Sequence, residues 1–333
     1  MTAAVVLTVK NEARLLPQHI AYHLGIGVKQ VFVYFDNTTD TGKEEIQHLP
    51  NVIARNSITP AELEPQPYLQ FFFDRSEAHH TARQCLNTYH ALQCCKQMGI
   101  DWLISIDADE LLLTPEKGEM SLVAYLQEAA SQQLDVIQLA PMEVVNRQLH
   151  YKQVMAEETL FKTQKNFKSK FDQVYRRIYD PYTKTYLKSS YWLGHTMGKA
   201  VLRVNANILP KSVHRYQHID NRPLKQGHLG HVLHYHVYDI TDFIKKYKNF
   251  KKHPDTFLSG SKIEPLKQLW IRLVNDPDYS YEALEAYYKA YVLYHKKALA
   301  KLYKTRVFNI LKRQQPAVVE IHVPKRILKS KNK

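Results

Sequence analysis

The stretch ISIDADELLL, residues 104–113, places three acids within four positions between two apolar runs. An apolar run of this kind is typical of a buried strand, and a carboxylate inside a buried strand would lose its hydration at a large cost in free energy. The acids are therefore expected at the end of the strand, where solvent or a ligand reaches them. Which residues lie near these acids depends on how the other strands of the chain are arranged.

Apolar runs and helical patterns alternate ahead of this stretch. The first run lies at 4–9, a helical pattern closed by glycines follows at 15–27, and VKQVFVYFDN at 28–37 contains the second run. A third strand is predicted at 51–58 and a helix at 76–99. This alternation predicts an α/β fold, with a doubly wound, mostly parallel sheet flanked by helices.

Polar segments follow three of these predicted strands: KNEAR at 10–14, Asp-Asn at 36–37 and DADE at 107–110. The carboxyl ends of parallel strands meet at one edge of such a sheet, so one site is expected there. Alternation along a strand directs Asp107 and Asp109 to the same side. Two such carboxylates suit Mg²⁺ or Mn²⁺, which also take diphosphate oxygens as ligands. The spacing alone equally allows acids that cap a helix and line a solvated turn.

Composition excludes several classes of protein. A chain of 333 residues with 44% hydrophobic content is long and apolar enough to build a core, so disorder is not expected. The three cysteines lie close together at 85–95, without a second half for a zinc site or a disulfide framework. No apolar run approaches the length of a membrane span, and no signal peptide is recognised. The expected location is cytoplasmic, with peripheral contact at the inner face of the membrane as an addition.

The charge distribution predicts an anionic partner. The net charge is +14, from 46 Lys and Arg against 32 Asp and Glu. The predicted organisation is one domain over 1–250 and a helical C-terminal extension with a basic tail over 251–333, in which 282–304 is amphipathic. Tyrosines alternate with lysines at 161–186, which allows a basic, non-enzymatic binding module for nucleic acid or anionic membrane. Nucleic acid is the less favoured of these partners, because no recognised nucleic-acid motif occurs.

Taken together, the motifs resemble the GT-A glycosyltransferases, specifically the family 2-like group. The resemblance rests on VVLTVKNEARLLPQHIAYHLGIGVKQVFVYFDN (5–37), DWLISIDADELL (101–112) and HYHVYDITDFIKK (234–246). It implies a GT-A-type sheet in a nucleotide-sugar-binding and catalytic domain over 1–250. The implied activity is metal-dependent transfer of a sugar, with inversion, from a UDP- or GDP-sugar to a glycan or lipid-linked acceptor in surface polysaccharide biosynthesis. The implied cofactor is Mn²⁺ or Mg²⁺.

The resemblance also implies roles for single residues. The metal ligands would be Asp109 and His234, with Asp107 as a second-choice ligand. His236 is an alternative to His234, because the two imidazoles would share one face of a strand. The implied donor-binding residues lie in the loops after the strands and around the GKAVLR segment: Thr8, Lys10, Glu12, Asp36, Asp107, Lys199 and His214.

A catalytic base is also required. Inversion needs a carboxylate that takes the proton of the acceptor hydroxyl. Glu143, just past the predicted strand VIQLA, is the first candidate, and Asp239 is the alternative. Asp220 stays open as well.

Overall fold

The structure is a computed structural model, and the residues it describes fall into six ranges: 1–64, 66–162, 197–252, 265–297, 299 and 318–328. The chain divides into two compact units. The first unit comprises 1–141, 197–234 and 323–333, and the second comprises 142–196 and 235–322. The division after residue 250, expected from the sequence, stays a prediction.

An eight-stranded mixed sheet organises the first unit. Its strands are β1 Ala3–Val9, β2 Gln30–Phe35, β3 Val52–Asn56, β4 Trp102–Ser105, β5 Glu110–Leu113, β6 Val136–Glu143, β8 Lys199–Arg203 and β11 Gln226–His234. The strand order across the sheet is β3-β2-β1-β4-β8-β6-β11-β5. Four further strands are described outside this sheet. They form two antiparallel pairs: β9 Ile208–Ser212 with β10 Arg215–His218, and β7 Leu160–Lys162 with β12 Val318–Glu320.

The first four strands pair in parallel, which brings their carboxyl ends to one edge. Leu7 of β1 lies opposite Val33 of β2, and Val5 of β1 lies opposite Ile104 of β4. The residues of β1 alternate between two buried apolar clusters on opposite faces of the sheet. A strand buried on both faces has a continuous apolar sequence, which is the reason AAVVLTV forms β1.

Helices cover both faces of this sheet. Those of the first unit are α1 Leu16–Gly25, α2 Gly42–Ile46, α3 Gln70–Phe73, α4 His80–Gln97, α5 Leu122–Ser131 and α10 Lys325–Leu328. One face packs on α1 and α5, through residues such as Ile20 and Leu126. The opposite face packs on α4, through residues such as Leu92 and Cys95. The predicted α/β class, a sheet flanked by helices, is confirmed.

The second unit has an aromatic core. The helices among its described residues are α6 Val154–Glu157, α7 Ile240–Asn249, α8 Pro265–Asn275 and α9 Tyr281–Tyr291. Phe243 of α7 contacts the rings of Trp270 and Tyr288, which come from the next two helices. Strand β12 pairs antiparallel with β7. The amphipathic helix expected at 282–304 begins as α9, and most of its second half lies outside the described residues.

Among the helices that the structure describes, none is both long enough and apolar enough to cross a membrane.

Candidate functional site

Residues 107–110, called the DADE turn below, follow β4 and lead into β5, whose first residue is Glu110. The turn is closed by Glu110, whose backbone N–H donates to the Asp107 carbonyl at 3.1 Å. The Glu110 side chain in turn accepts the backbone N–H of Asp107 at 2.8 Å. The apolar strand therefore ends at Ser105, and the acids lie at the carboxyl edge of the sheet as expected.

A buried cation neutralises the DADE turn. Strand β8 pairs antiparallel with β4, and Ser105 lies opposite Ala200, so the preceding Lys199 reaches the turn. Its Nζ lies 2.6 Å from Asp107 Oδ2 and 3.7 Å from Glu110 Oε2, and the side chain is only 3% exposed. Burial disfavours the ammonium, but the two carboxylates outweigh it and raise the pKa of Lys199. Lys199 is thus held by protein acids, as a permanent cation beneath the turn.

The same contacts set the protonation of the two acids differently. Burial raises the pKa of Glu110 to about 7, an effect that Lys199 opposes. Burial also favours a higher pKa for Asp107, but the positive charge of Lys199 outweighs this effect. Lys199, with a further contribution from His214, holds the pKa of that carboxyl below its usual value. Asp107 therefore stays ionised under conditions in which Glu110 starts to take up a proton.

Asp109 and His234 form the candidate metal-binding pair. Strand β11 pairs antiparallel with β5, and His234 lies directly opposite Glu110. This register places His234 Nε2 at 3.4 Å from Asp109 Oδ2, with both side chains largely buried. Two neighbouring ligands of an octahedral cation with bonds of about 2.1 Å lie about 3 Å apart. The carboxylate and imidazole therefore fit one divalent cation after a shift of a few tenths of an ångström.

Asp107 is engaged by the protein on both carboxylate oxygens. Gln84 Nε2 donates to Oδ1 at 2.7 Å, and Lys199 Nζ donates to Oδ2 at 2.6 Å. This arrangement favours Asp109 over Asp107 as a metal ligand. His236 belongs to the second unit, where Lys246 Nζ lies 3.1 Å from its Nδ1. Its role as an alternative ligand stays a prediction.

A cleft of about 600 Å³ lies at the carboxyl ends of β2 and β3. This volume is within the range of small-molecule sites. Its lining is mostly polar and includes Asp36, Asn37, Thr38, Lys43, Asn56, Ser57 and Arg83. It is called the Asp36 cleft below, because that buried acid lies in its wall.

Arg83 holds Asp36 through a bidentate ion pair. Its Nε lies 2.5 Å from Asp36 Oδ1, and its Nη2 lies 2.9 Å from Oδ2. The remaining guanidinium nitrogen donates to the carbonyls of Ser76 and Glu77. A bidentate, charge-assisted pair fixes the plane of the carboxylate as well as its charge.

The loop after β1 lies beside the Asp36 cleft. Lys10 and Glu12 belong to this loop, and both are partly exposed. Asn11 between them has a positive φ of 58°, and its Oδ1 accepts the backbone N–H of Thr39 at 2.8 Å. The loops after β1 and β2 are therefore tied together, as the prediction of one shared edge requires.

Thr8 and His214 complete the predicted donor-binding set. Thr8, near the end of β1, accepts a hydrogen bond from Asn87 at 2.9 Å. His214 lies in the turn between β9 and β10, and its Nδ1 lies 2.9 Å from the carbonyl of Gly198. The predicted donor-binding residues thus all lie in the first unit, most of them at strand ends.

The candidate bases Glu143 and Asp239 lie in the second unit. Glu143 ends β6, is buried, and forms an ion pair of 3.5 Å with the buried Lys162. Asp239 is fully buried and caps α7, because Oδ1 accepts the backbone N–H of Asp242 at 2.8 Å. Its Oδ2 accepts the backbone N–H of Tyr151 at 3.2 Å. Their roles as bases stay predictions, and so does that of Asp220, which is exposed in the first unit.

Three residues of α4 contact this site and were not predicted from the sequence: Arg83, Gln84 and Asn87. Polar residues at positions i and i+4 of a helix lie on the same face, and α4 packs that side on the sheet. The signal was therefore a polar stripe on the buried face of an otherwise ordinary amphipathic helix.

A comparison with known families identifies the family of the chain. The sequence model of glycosyltransferase family 92 matches residues 7–270, which is more than half of the chain. The chain belongs to glycosyltransferase family 92. The resemblance to glycosyltransferases expected from the motifs is thereby confirmed.

Two relatives and one solved structure show similarity to this family 92 member. A glycosyltransferase-like protein of Arabidopsis thaliana is 26% identical over 238 residues, covering 68% of this chain and 52% of the relative. A second such Arabidopsis thaliana protein is 27% identical over 153 residues, covering 46% and 29%. The crystal structure of S. aureus TarS 1–349 aligns with a TM-score of 0.35 at 13% identity, covering 95% of this chain and 76% of that one. The chain thus spans about half or less of the length of the curated relatives it matches.

Proposed function

We propose that this chain transfers a sugar from a nucleotide-diphosphate donor to a glycan or glycolipid acceptor, with a divalent cation held by Asp109 and His234. The observation that carries the proposal is the pairing of this carboxylate and this imidazole at 3.4 Å, in a sheet edge that also holds the Asp36 cleft. Membership in family 92 supports the reaction class.

The donor would occupy the edge formed by the first four strands. A UDP- or GDP-sugar has a nucleoside with hydroxyl donors and a diphosphate with two or more negative charges. The carboxylate of Asp36 can accept from ribose hydroxyls, and the backbone and side chains of the loop around Lys10 lie beside it. The diphosphate would then extend toward the DADE turn. Mn²⁺ or Mg²⁺ would supply positive charge to the departing diphosphate when bound.

The proposed reaction is a single displacement with inversion. The acceptor oxygen forms a bond to the anomeric carbon while the bond from that carbon to the phosphate oxygen breaks, and the nucleoside diphosphate leaves with the electron pair. The proton of the acceptor hydroxyl passes to a carboxylate, for which Glu143 and Asp239 are the predicted candidates. Comparing the anomeric configuration of donor and product by NMR tests the inversion.

The metal pair provides a direct test of the proposed function. A panel of UDP- and GDP-sugars is incubated with the protein and Mn²⁺, and hydrolysis or transfer is followed. The substitution Asp109→Asn keeps the size of the side chain but removes its charge, and we expect turnover to fall at least about a hundredfold. The exposed Asp278 receives the same change as a control and should retain the rate. Full activity in Asp109→Asn would show that the proposed metal site is wrong.

We further propose a cytoplasmic location with peripheral contact at an anionic membrane, where a lipid-linked precursor of a surface polysaccharide would be the acceptor. The net charge of +14 supports this contact. Sedimentation with vesicles containing phosphatidylglycerol, against vesicles of phosphatidylcholine alone, tests it. The alternative of a non-enzymatic binding module rests on 161–186, of which only the first two residues are described.

A further inference from the structure

We propose that the first two turns of α4 are a positioning element for the donor site, through Gln84 and Asn87 together with Arg83. Each of these side chains holds a different strand end: Asp107 after β4, Thr8 in β1 and Asp36 after β2. The inference rests on the proposed function, because it concerns how that same site is kept in shape for the donor.

Asn87 joins two strand ends beneath the cleft. The residue is fully buried, and its Nδ2 donates to Thr8 Oγ1 at 2.9 Å and to Ser57 Oγ at 3.1 Å. Its Oδ1 accepts the backbone N–H of Ile58 at 2.8 Å. Both donors of the amide and one of its acceptor positions are therefore used. Asn87 thus fixes the distance between β1 and the segment that follows β3.

The network continues from Asn87 to the acid in the wall of the cleft. Ser57 Oγ lies 3.3 Å from Asp36 Oδ1, so the hydroxyl that accepts from Asn87 can donate to Asp36. Arg83 holds the same carboxylate from the other side through its bidentate pair. Asp36 is therefore oriented from two sides, and both contacts lead back to one face of α4.

Gln84 holds the DADE turn from the same helix. Its Nε2 donates to Asp107 Oδ1 at 2.7 Å, opposite the contact of Lys199 to Oδ2. A carboxylate gripped at both oxygens cannot rotate freely. The plane of the Asp107 carboxylate is thereby set before a donor is bound.

The position of α4 is itself determined by the core of the first unit. The later turns of the helix bury Ala91, Leu92 and Cys95 against the sheet. Because a helix is rigid over this length, packing at its far end sets where its first turns meet the strand ends. A site that is already held in its binding geometry loses less conformational entropy when the ligand binds, so its affinity is higher.

A purely structural role predicts a different result from a positioning role. If these amides only satisfy buried polar groups, their loss lowers the melting temperature, and the molecules that remain folded bind the donor as before. If they position the site, folded variants bind the nucleotide more weakly. Gln84 is suited to this test because it is only partly buried, so its replacement should leave the fold intact.

The experiment is isothermal titration calorimetry of UDP and of GDP, with Mn²⁺ present, on wild type, Gln84→Met, Asn87→Leu and the control Gln97→Met. Gln97 is an exposed residue at the other end of α4 and receives the same chemical change as Gln84. We expect Gln84→Met and Asn87→Leu to raise the Kd of the nucleotide that wild type binds by about tenfold. Gln97→Met should bind like wild type. Melting curves confirm that each variant is folded at the titration temperature.

The outcomes separate this inference from the proposed function. Wild-type binding with an unchanged Kd in Gln84→Met overturns the positioning role and leaves the proposed function standing. A wild type that binds neither nucleotide overturns the proposed function and this inference with it. A tenfold weaker Gln84→Met beside an unchanged Gln97→Met supports the positioning role, even if Asn87→Leu fails to fold.

Discussion

Replacement of Lys199 by methionine should destabilise the first unit, because it removes a buried cation that lies between two carboxylates of the DADE turn. The ammonium is 3% exposed, and it lies 2.6 Å from Asp107 and 3.7 Å from Glu110. Methionine fills much of the same volume without charge. The change therefore leaves the packing nearly intact but removes the positive charge that stabilises the buried carboxylate of Glu110.

The size of the effect follows mainly from Glu110. At an effective dielectric constant of about 20, two charges separated by the distance between Lys199 and Glu110 attract by about 4 kcal/mol. The Asp107 side chain is 39% exposed, so water screens it and its share is smaller. Removing one partner of a buried pair costs about 3–5 kcal/mol in measured cases. Because the pKa of Glu110 is about 7, its attraction to Lys199 develops only above neutral pH, and we expect Lys199→Met to lower the free energy of unfolding by about 2 kcal/mol at pH 8.

The loss of free energy of unfolding in Lys199→Met, called the deficit below, should depend on pH, and the titration of Glu110 determines whether it grows or shrinks as pH rises. Burial already raises the pKa of this acid from 4.5 to about 7, and without Lys199 the pKa rises further. An acid whose pKa is raised by folding makes the folded state less stable as pH increases up to that pKa. The variant continues to lose stability above pH 7, where wild type no longer does. The deficit should therefore be larger at pH 8 than at pH 6.

Urea unfolding followed by circular dichroism at both pH values measures the deficit. The exposed Lys96 of α4 provides a control, since Lys96→Met removes a charge from the surface and should change stability little. The double variant Lys199→Met, Glu110→Gln should recover part of the loss, because the uncompensated acid is gone. A deficit below about 1 kcal/mol at pH 8, or no recovery in the double variant, would refute the reasoning.

Three further predictions concern stability. Burial lowers the pKa of His23 from 6.5 to about 4, so this histidine should contribute a loss of about 3 kcal/mol in the free energy of unfolding between those pH values, as the unfolded chain takes up the proton. Urea unfolding across this pH range should show that the free energy of unfolding falls less in His23→Phe than in wild type. In the control His48→Gln, which changes an exposed residue, it should fall as it does in wild type. A Cβ at Gly198 would lie 1.6 Å from the carbonyl oxygen of Leu139, so Gly198→Ala should cost about 3 kcal/mol or more, and an unchanged urea midpoint would contradict this contact. Because Asp239 caps α7, Asp239→Ala should lose about 1 kcal/mol while Asp239→Asn keeps the melting temperature, and turnover by the Asn variant decides its role as base.

The strands of the parallel half could be predicted because their signal is local. An apolar run such as AAVVLTV must be buried on both faces, and the residues that show this are adjacent in the chain. The edge site followed from the same pattern, since the polar segments come directly after the strands. The proximity of the two candidate metal ligands could not be predicted from local sequence patterns. Asp109 and His234 are brought together by the register of β5 on β11, which local sequence does not encode.

The contacts of Lys199 and α4 illustrate what remained beyond prediction. The resemblance implies donor binding for Lys199, a role that stays a prediction, and the structure shows its ammonium beside Asp107 and Glu110. The contacts of Gln84 and Asn87 could not be predicted from the sequence, because a single amide in a helix has many possible partners. The partner is chosen by tertiary packing, and here it lies 23 and 79 residues away along the chain.

By itself the sequence determined the alternation of strands and helices and the presence of acids at the end of an apolar strand, because hydrophobic periodicity and the cost of burying charge act on neighbouring residues. Only the tertiary structure decided which of those acids is neutralised by Lys199 and which faces His234. The reason is that the order and direction of β8 and β11 in the sheet depend on long-range pairing. The stretch IDADE thus carries the charge, and the antiparallel strands beside it determine how each carboxylate is used.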